Sequence, residues 1–240
     1  MPTRFAELTD TGRTRASNQD RVLSDPALGL WALADGMGGH AGGAEASRIA
    51  CAALHEAVGH GMPLADGFEV AHSAVRSAQR ETPALQDMGT TLVALLEHDN
   101  DYRIAWVGDS RVYRYNECDG SLECLSRDQN VAGRLVTEGR LTEEQAREHP
   151  QRHVLTDCIG QRCRLPTIES ASFEWHGGDR LLLCSDGLHG ELCDAELAQW
   201  LGNARSPHAA ADRLLHRALE AGGRDNISLI IIDAPSPVDD

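Results

Sequence analysis

LGLWALADGMGGHAGGAEASRIACAALHEAV, residues 28–58, runs from an apolar segment through an acid into a glycine-rich loop and then into a helical pattern. How that loop is read decides the fold. Gly36-x-Gly38-x-x-Ala41, after a strand and before a helix, fits the loose dinucleotide-binding fingerprint, which would make the chain a doubly wound α/β protein. Two features oppose it. Asp35 stands directly before the first glycine, where its carboxylate would face a pyrophosphate. No second strand ending in an acid follows about twenty residues on, and Glu56 falls inside the helical pattern instead. The alternative is that the small residues let the backbone approach a cation, bringing the Gly36 carbonyl into its shell.

Working outward, short aliphatic and β-branched runs at 28–34, 90–97, 102–107, 112–116, 180–185 and 226–233 read as strands. Residues 102–107 and 112–116 are joined by Gly108-Asp109-Ser110-Arg111, which reads as a tight hairpin turn. Helical patterns lie at 44–59, 67–80, 130–138, 142–148, 194–202 and 207–221. The last has Ser206 to cap it, Pro207 in its first turn and Gly222-Gly223 at its end. Strands in consecutive groups, not alternating with helices, predict an α+β protein with antiparallel sheets and helices packed outside them.

At 240 residues, with no compositional seam, the chain is expected to form one domain over 1–234, with a frayed tail at 235–240. Hydrophobic residues at 41% suffice for a sizeable core, and aromatics at 4% leave that core mainly to Leu, Ala, Val and Ile. The first residues lack an apolar signal segment and no apolar stretch reaches membrane-spanning length, so the expected location is cytoplasmic, without membrane insertion. Seven cysteines, none in C-x-x-C spacing, are expected to be reduced and mostly buried. A net charge of −15 without a Lys/Arg cluster argues against nucleic-acid binding. Such a protein can still handle an anionic substrate if bound cations reverse the local field.

Five acids flank the apolar runs: Asp20 before Val22, Asp35 after ALA, Asp109 after WVG, Asp186 after LLLCS, and Asp225 before NISLIIID. Any one of them is ordinary as a turn or capping Asp. Five together at the ends of buried strands would repel one another and raise their own pKa values unless cations neutralise them. Oxygen donors without a His or Cys pair point to a hard ion, Mg²⁺ or Mn²⁺. Spacing alone leaves their convergence open. A rival reading takes Cys158-x5-Arg164 as a thiolate and guanidinium embracing one phosphate. Asp157 before the cysteine and Pro166 after the arginine weigh against it and favour a structural thiol.

RASNQD (15–20), ADGMGGH (34–40), MGTT (88–91), VGDSRVYR (107–114), CSDGL (184–188) and GGRDNIS (222–228) occur in the order and approximate spacing of the PP2C-type, or PPM, metal-dependent Ser/Thr protein phosphatases. The chain resembles the compact bacterial members over nearly its whole length, and among them those associated with type VI secretion, which are paired with a membrane Thr kinase. The resemblance implies a four-layer αββα sandwich with a two-metal centre at one end and a variable flap over about 126–165. Asp35 would bridge two Mn²⁺ or Mg²⁺ ions, with the Gly36 carbonyl and Asp20 completing one shell through waters and Asp186 and Asp225 serving the other. Asp109 with Asp186 would take a third, weaker ion. Arg15 matches the phosphate-binding arginine, and His40, by position, the group that protonates the leaving alkoxide; as a lone histidine in a glycine-rich loop, it also fits a turn residue with no catalytic role.

The implied reaction is hydrolysis of phosphoserine or phosphothreonine in proteins by a hydroxide bridging the two metals, opposing a bacterial Ser/Thr kinase, by a monomer. A catalytically weak relative that binds phosphoproteins as a regulator is the alternative, and such relatives usually lack metal ligands. Within the flap this sequence departs from the family at Gln129, where many relatives carry His, and at Asp157-Cys158, where a basic and a small residue are common. Those departures bear on substrate choice, not on hydrolysis.

Overall fold

A computed structural model describes residues 3–38, 42–98 and 100–234. Its centre is a pair of antiparallel sheets. One has the order β1 (Phe5–Asp10), β11 (Ile227–Asp233), β10 (Asp179–Cys184), β7 (Arg111–Asn116), β8 (Leu122–Cys124). The other has the order β2 (Asp20–Asp25), β3 (Leu30–Met37), β5 (Leu92–His98), β6 (Asp101–Val107), β9 (Glu169–Glu174), with β4 (Gly89–Thr90) paired to the end of β3.

The period-two alternation of side chains explains the layers. Along β11, Ile230 and Ile232 point between the sheets, while Ile227, Leu229 and Ile231 point outward. Along β3, Trp31 and Leu33 face inward and Leu30, Ala32 and Ala34 outward. Both faces are therefore apolar, and the strands read as nearly continuous hydrophobic runs. The outward face of the β3 sheet is covered by α1 (Gly42–Gly59) and α2 (Leu64–Glu81) through Leu54, Phe68 and Val75. The outward face of the β11 sheet is covered by α5 (Asp186–His189), α6 (Asp194–Gly202) and α7 (Pro207–Ala221) through Leu188, Leu197 and Leu214. Helix, sheet, sheet, helix is the expected αββα arrangement. The ends of α7 also follow the sequence: the Ser206 hydroxyl accepts from the Ala209 amide at 3.2 Å, and Gly222 and Gly223 close it with positive φ. The short helices α3 (Val131–Thr137) and α4 (Glu143–Arg147) lie in the flap region.

Two expectations fail. Residues 108–111 are not a hairpin turn, because β6 pairs with β5 and β9 in one sheet and β7 with β10 and β8 in the other. The link crosses between sheets because tertiary bonds hold it: the Ser110 and Thr91 hydroxyls lie 2.8 Å apart, and the Gly108 amide donates to Gln129 Oε1 at 2.9 Å. Gly108 has φ +106°, and a Cβ there would stand 2.6 Å from the Thr91 side chain, so only glycine makes this passage. The cysteines are all free but not mostly buried. Cys51 and Cys184 are in the core, whereas Cys118, Cys124, Cys163 and Cys193 are exposed, in a turn, an edge strand, the flap and a helix cap. The antiparallel pairing of β3 on both sides removes the βαβ unit that a dinucleotide fingerprint requires.

Candidate metal centre

The topology brings all five acids to one end of the sandwich. β2 begins at Asp20 and β3 carries Asp35 near its end, and the two are directly opposite in the antiparallel register. Asp109 lies in the crossover between β6 and β7, Asp186 two residues beyond β10, and Asp225 two residues before β11. Arg111 pairs with Cys184, and Cys184 with Leu229, so these strand ends are level with one another.

The strand ends are fixed by the neighbours of the acids. The Asp35 amide donates to Thr91 Oγ1 at 2.9 Å, and its carbonyl accepts from the Thr91 amide and the Thr90 hydroxyl, each at 2.9 Å. Asn226 ties three segments together: its Oδ1 accepts from the Gln19 amide at 2.8 Å and its Nδ2 donates to the carbonyls of Thr11 and Ser17. The buried Ser185 hydroxyl donates to Asp20 Oδ2 at 2.9 Å and accepts from the Ser228 amide at 3.0 Å. Gly36 serves close backbone packing, since a Cβ there would stand 2.1 Å from the Gly43 carbonyl oxygen and 2.6 Å from that of Gln19. Gln19, Ser185, Asn226 and Ser228 are residues of the motifs in which the acids occur, but composition does not say what they bond.

Electrostatically the acids behave as one cluster. Burial, and then repulsion from Asp20, Asp186, Asp109 and Asp225, holds the Asp35 carboxyl well above the usual range. Burial pushes Asp20 up to about 6 against hydrogen bonds from Ser228 and Ser185, and burial with repulsion from Asp186 and Asp128 raises Asp109 strongly. Asp186 goes the other way: although burial opposes it, the hydrogen bond with His153 holds it low. Burial pushes His189 down to about 4, so the neutral ring donates from Nε2 to the Asp109 carbonyl at 3.0 Å.

Each of four acids rests on a donor. Arg15 Nη2 donates to Asp225 Oδ2 at 2.6 Å, His153 Nδ1 lies 3.2 Å from Asp186 Oδ2, Ser185 holds Asp20, and Asn130 Nδ2 donates to Asp109 Oδ2 at 3.2 Å. Accordingly, among the described residues, no three His, Cys, Asp or Glu side chains are set as a ready-made coordination shell. The donor set nevertheless fits a hard cation. It is all oxygen, and the buried Oδ1 atoms of Asp20 and Asp186 have no hydrogen-bond partner. Orphaned buried carboxylate oxygens facing further carboxylates are costly unless positive charge joins them.

Of the sequence-derived residues, Asp20, Asp35, Gly36, Asp109, Asp186, Asp225 and Arg15 come together here, and His40 lies outside the described residues. His153, from the flap, was not foreseen; only a contact 33 residues away in sequence reveals it. Gln129 is buried, bridging the Gly108 amide to the Thr167 carbonyl, and so pins the flap base to the Asp109 crossover. The thiol alternative is weakened. Arg164 pairs with Asp157 at 2.7 Å, and burial with the Asp157 charge pushes the Cys158 thiol up, away from the thiolate a nucleophile needs.

The family pattern described as Protein phosphatase 2C matches residues 11–222. The serine/threonine protein phosphatase PstP of Mycobacterium tuberculosis is 38% identical over an alignment of 238 residues that covers 96% of this chain and 45% of that protein. The chain thus spans about half the length of that curated relative. The crystal structure of the catalytic domain of PstP in complex with two manganese ions superposes with a TM-score of 0.83 at 35% identity, covering 96% of this chain and 97% of that one. PppA, described as a key regulatory component of the type VI secretion system in Pseudomonas aeruginosa, superposes with a TM-score of 0.84 at 31% identity, covering 98% of this chain and 99% of that one.

Proposed function

The chain belongs to the protein phosphatase 2C family, and on that footing we propose that it is a metal-dependent protein serine/threonine phosphatase whose centre is the acid cluster at the end of the sandwich. The observation that carries the proposal is the convergence of five carboxylates with two buried oxygens, Asp20 Oδ1 and Asp186 Oδ1, left without partners. Residues 1–234 are read as one phosphatase domain with its flap at 126–165.

Asp35, central among the repelling charges, would be the ligand common to two divalent cations, and Asp20, the Gly36 carbonyl, Asp186 and Asp225 are the further groups that would hold them. Asp109 with Asp186 is assigned to a third, weaker ion. When bound, divalent cations supply the positive charge that makes a water acidic enough to attack phosphorus near neutral pH. Manganese in PstP supports Mn²⁺, and the oxygen donor set suits Mg²⁺ as well.

The chain's own residues do the rest. Arg15, whose side chain is 55% exposed and which meets Asp225 through Nη2, is assigned to hold phosphoryl oxygens. His40 is assigned to hold the proton that the departing Ser or Thr oxygen takes up. The buried walls behind Asp20 and Asp35 keep bulk water from screening these charges.

Phosphorylated proteins are the substrates that fit, and a bacterial Ser/Thr kinase is the activity opposed. The chain is read as a cytoplasmic monomer; among the described residues no helix is long and apolar enough to cross a membrane. The likeness to PppA is the support for a type VI secretion link, and PstP is more alike in sequence, 35% against 31%. The regulator alternative is disfavoured because none of the five acids is missing. The test is Asp35→Asn assayed on a phosphothreonine peptide with Mn²⁺. Loss of turnover with the fold intact is expected, and wild-type turnover would refute the reading.

A further inference from the structure

Asn130 stands at the junction between the flap and the acid cluster, and its two amide atoms do different work. Its Oδ1 accepts from the Gly133 amide at 2.8 Å, capping α3, the first flap helix. Its Nδ2 donates to Asp109 Oδ2 at 3.2 Å. The side chain is buried and cannot swing to serve one end at a time. The loop before it is equally fixed: Arg111 holds both oxygens of Asp128 at 2.7 and 2.8 Å, and a Cβ on Gly133 would stand 2.2 Å from the Asp128 carbonyl oxygen. Asn130 also forms an isolated antiparallel bridge with Leu155 in the returning segment of the flap.

We infer that Asn130 is a positioning residue that couples the flap to the cation site, orienting the Asp109 carboxylate through Nδ2 while anchoring α3 through Oδ1. The inference rests on the proposed metal centre. An amide is the side chain that suits both tasks at once, because it carries an acceptor for the helix amide and a donor for the carboxylate. Aspartate would cap equally well but would set a third negative charge against Asp109 and Asp128. Serine would cap as well as asparagine yet has no reach to Asp109. Because one side chain holds both, cation binding at Asp109 and order in α3 must favour each other reciprocally.

Asn130→Ser separates the two roles, and Asn130→Ala removes both. The EDTA-stripped full chain is titrated with Mn²⁺ by calorimetry, and hydrogen exchange at the Gly133 amide is followed with and without Mn²⁺. Groups that orient metal ligands are worth about 10–100-fold in affinity. Asn130→Ser is therefore expected to keep the wild-type melting temperature and α3 protection in EDTA, to bind the weakest class of Mn²⁺ at least about tenfold less tightly, and to lose the slowing of Gly133 exchange that Mn²⁺ causes in the wild type. In an Asp109→Asn background the same change should weaken Mn²⁺ binding no further. Asn130→Ser with wild-type Mn²⁺ affinity and Mn²⁺-dependent protection would overturn this inference alone and leave Asn130 as a helix cap. A wild-type chain that takes up no Mn²⁺ would overturn it together with the metal centre.

Discussion

Replacing Asp20 with Asn should make the metal-free protein more stable while weakening its response to metal. Asp20 is buried, faces Asp35 across the β2–β3 register, and has its carboxyl raised from 3.8 to about 6, with burial the first cause. A carboxyl with a folded-state pKa above its unfolded value is held more tightly as the acid by the folded chain, so its ionisation opposes folding. That cost is absent below 3.8, grows between 3.8 and about 6, and is complete above. At 1.36 kcal/mol per pH unit it comes to about 3 kcal/mol at neutral pH. Asparagine removes the charge, and its Oδ1 still accepts from Ser185. For a domain of this size 1 kcal/mol moves the melting temperature by about 2–4 °C, so Asp20→Asn should melt roughly 6–12 °C above the wild type in EDTA at pH 7.5. The gap should mostly close at pH 4, where the folded wild type holds this carboxyl protonated and the unfolded chain is close to its own midpoint. Adding Mn²⁺ should raise the wild type much more than the variant. Thermal unfolding followed by circular dichroism, in EDTA and in Mn²⁺ at both pH values, reads all four conditions. A variant that melts at or below the wild type in EDTA at pH 7.5 would refute the reasoning that ionised carboxylates are held in this cluster at a cost.

Other expectations follow from the same contacts. Arg15→Ala should lower kcat on a phosphopeptide by about 10²–10³, the usual loss for one preorganised charge stabiliser, and Arg15→Lys should recover little because it lacks the planar fork; steady-state kinetics with saturating Mn²⁺ checks both. Ser185→Ala leaves Asp20 Oδ2 and the Ser228 amide without their shared hydroxyl, which should cost about 1–3 kcal/mol in urea unfolding.

What could be read in the sequence, and what could not, divides along physical lines. β3, β5, β6, β10 and β11 are largely buried on both faces, so each contains a mainly apolar run, such as LWALA, LVALL, IAWV, LLLC and LIII, and stands out. The edge strands β1, β2, β8 and β9 do not. ESASFE in β9 alternates half-buried and exposed residues, which is how an edge avoids pairing with another chain and also why it resembles a loop. At 108–111 the turn residues suit a hairpin, yet the chain crosses between the sheets. What overrides them is the bonding of Ser110 to Thr91 and of Gly108 to Gln129, at separations of 19 and 21 residues. The acids were legible since each stands at a strand end, most beside a glycine, and mutual repulsion made five of them together hard to dismiss. Their supports were not. Asn226 bonding to Gln19 spans 207 residues, and Ser185 bonding to Asp20 spans 165, distances over which sequence pattern carries no pairing information.

The most direct test of the account is release of phosphate from a phosphothreonine peptide by the EDTA-treated protein, with Mn²⁺ added back and with iodoacetamide in a parallel arm. Activity that vanishes on chelation, returns with Mn²⁺ and ignores alkylation is the predicted result, since the acid cluster and not Cys158 then carries the reaction. Activity that survives EDTA and disappears on alkylation, or no phosphate release under any metal condition, would contradict it.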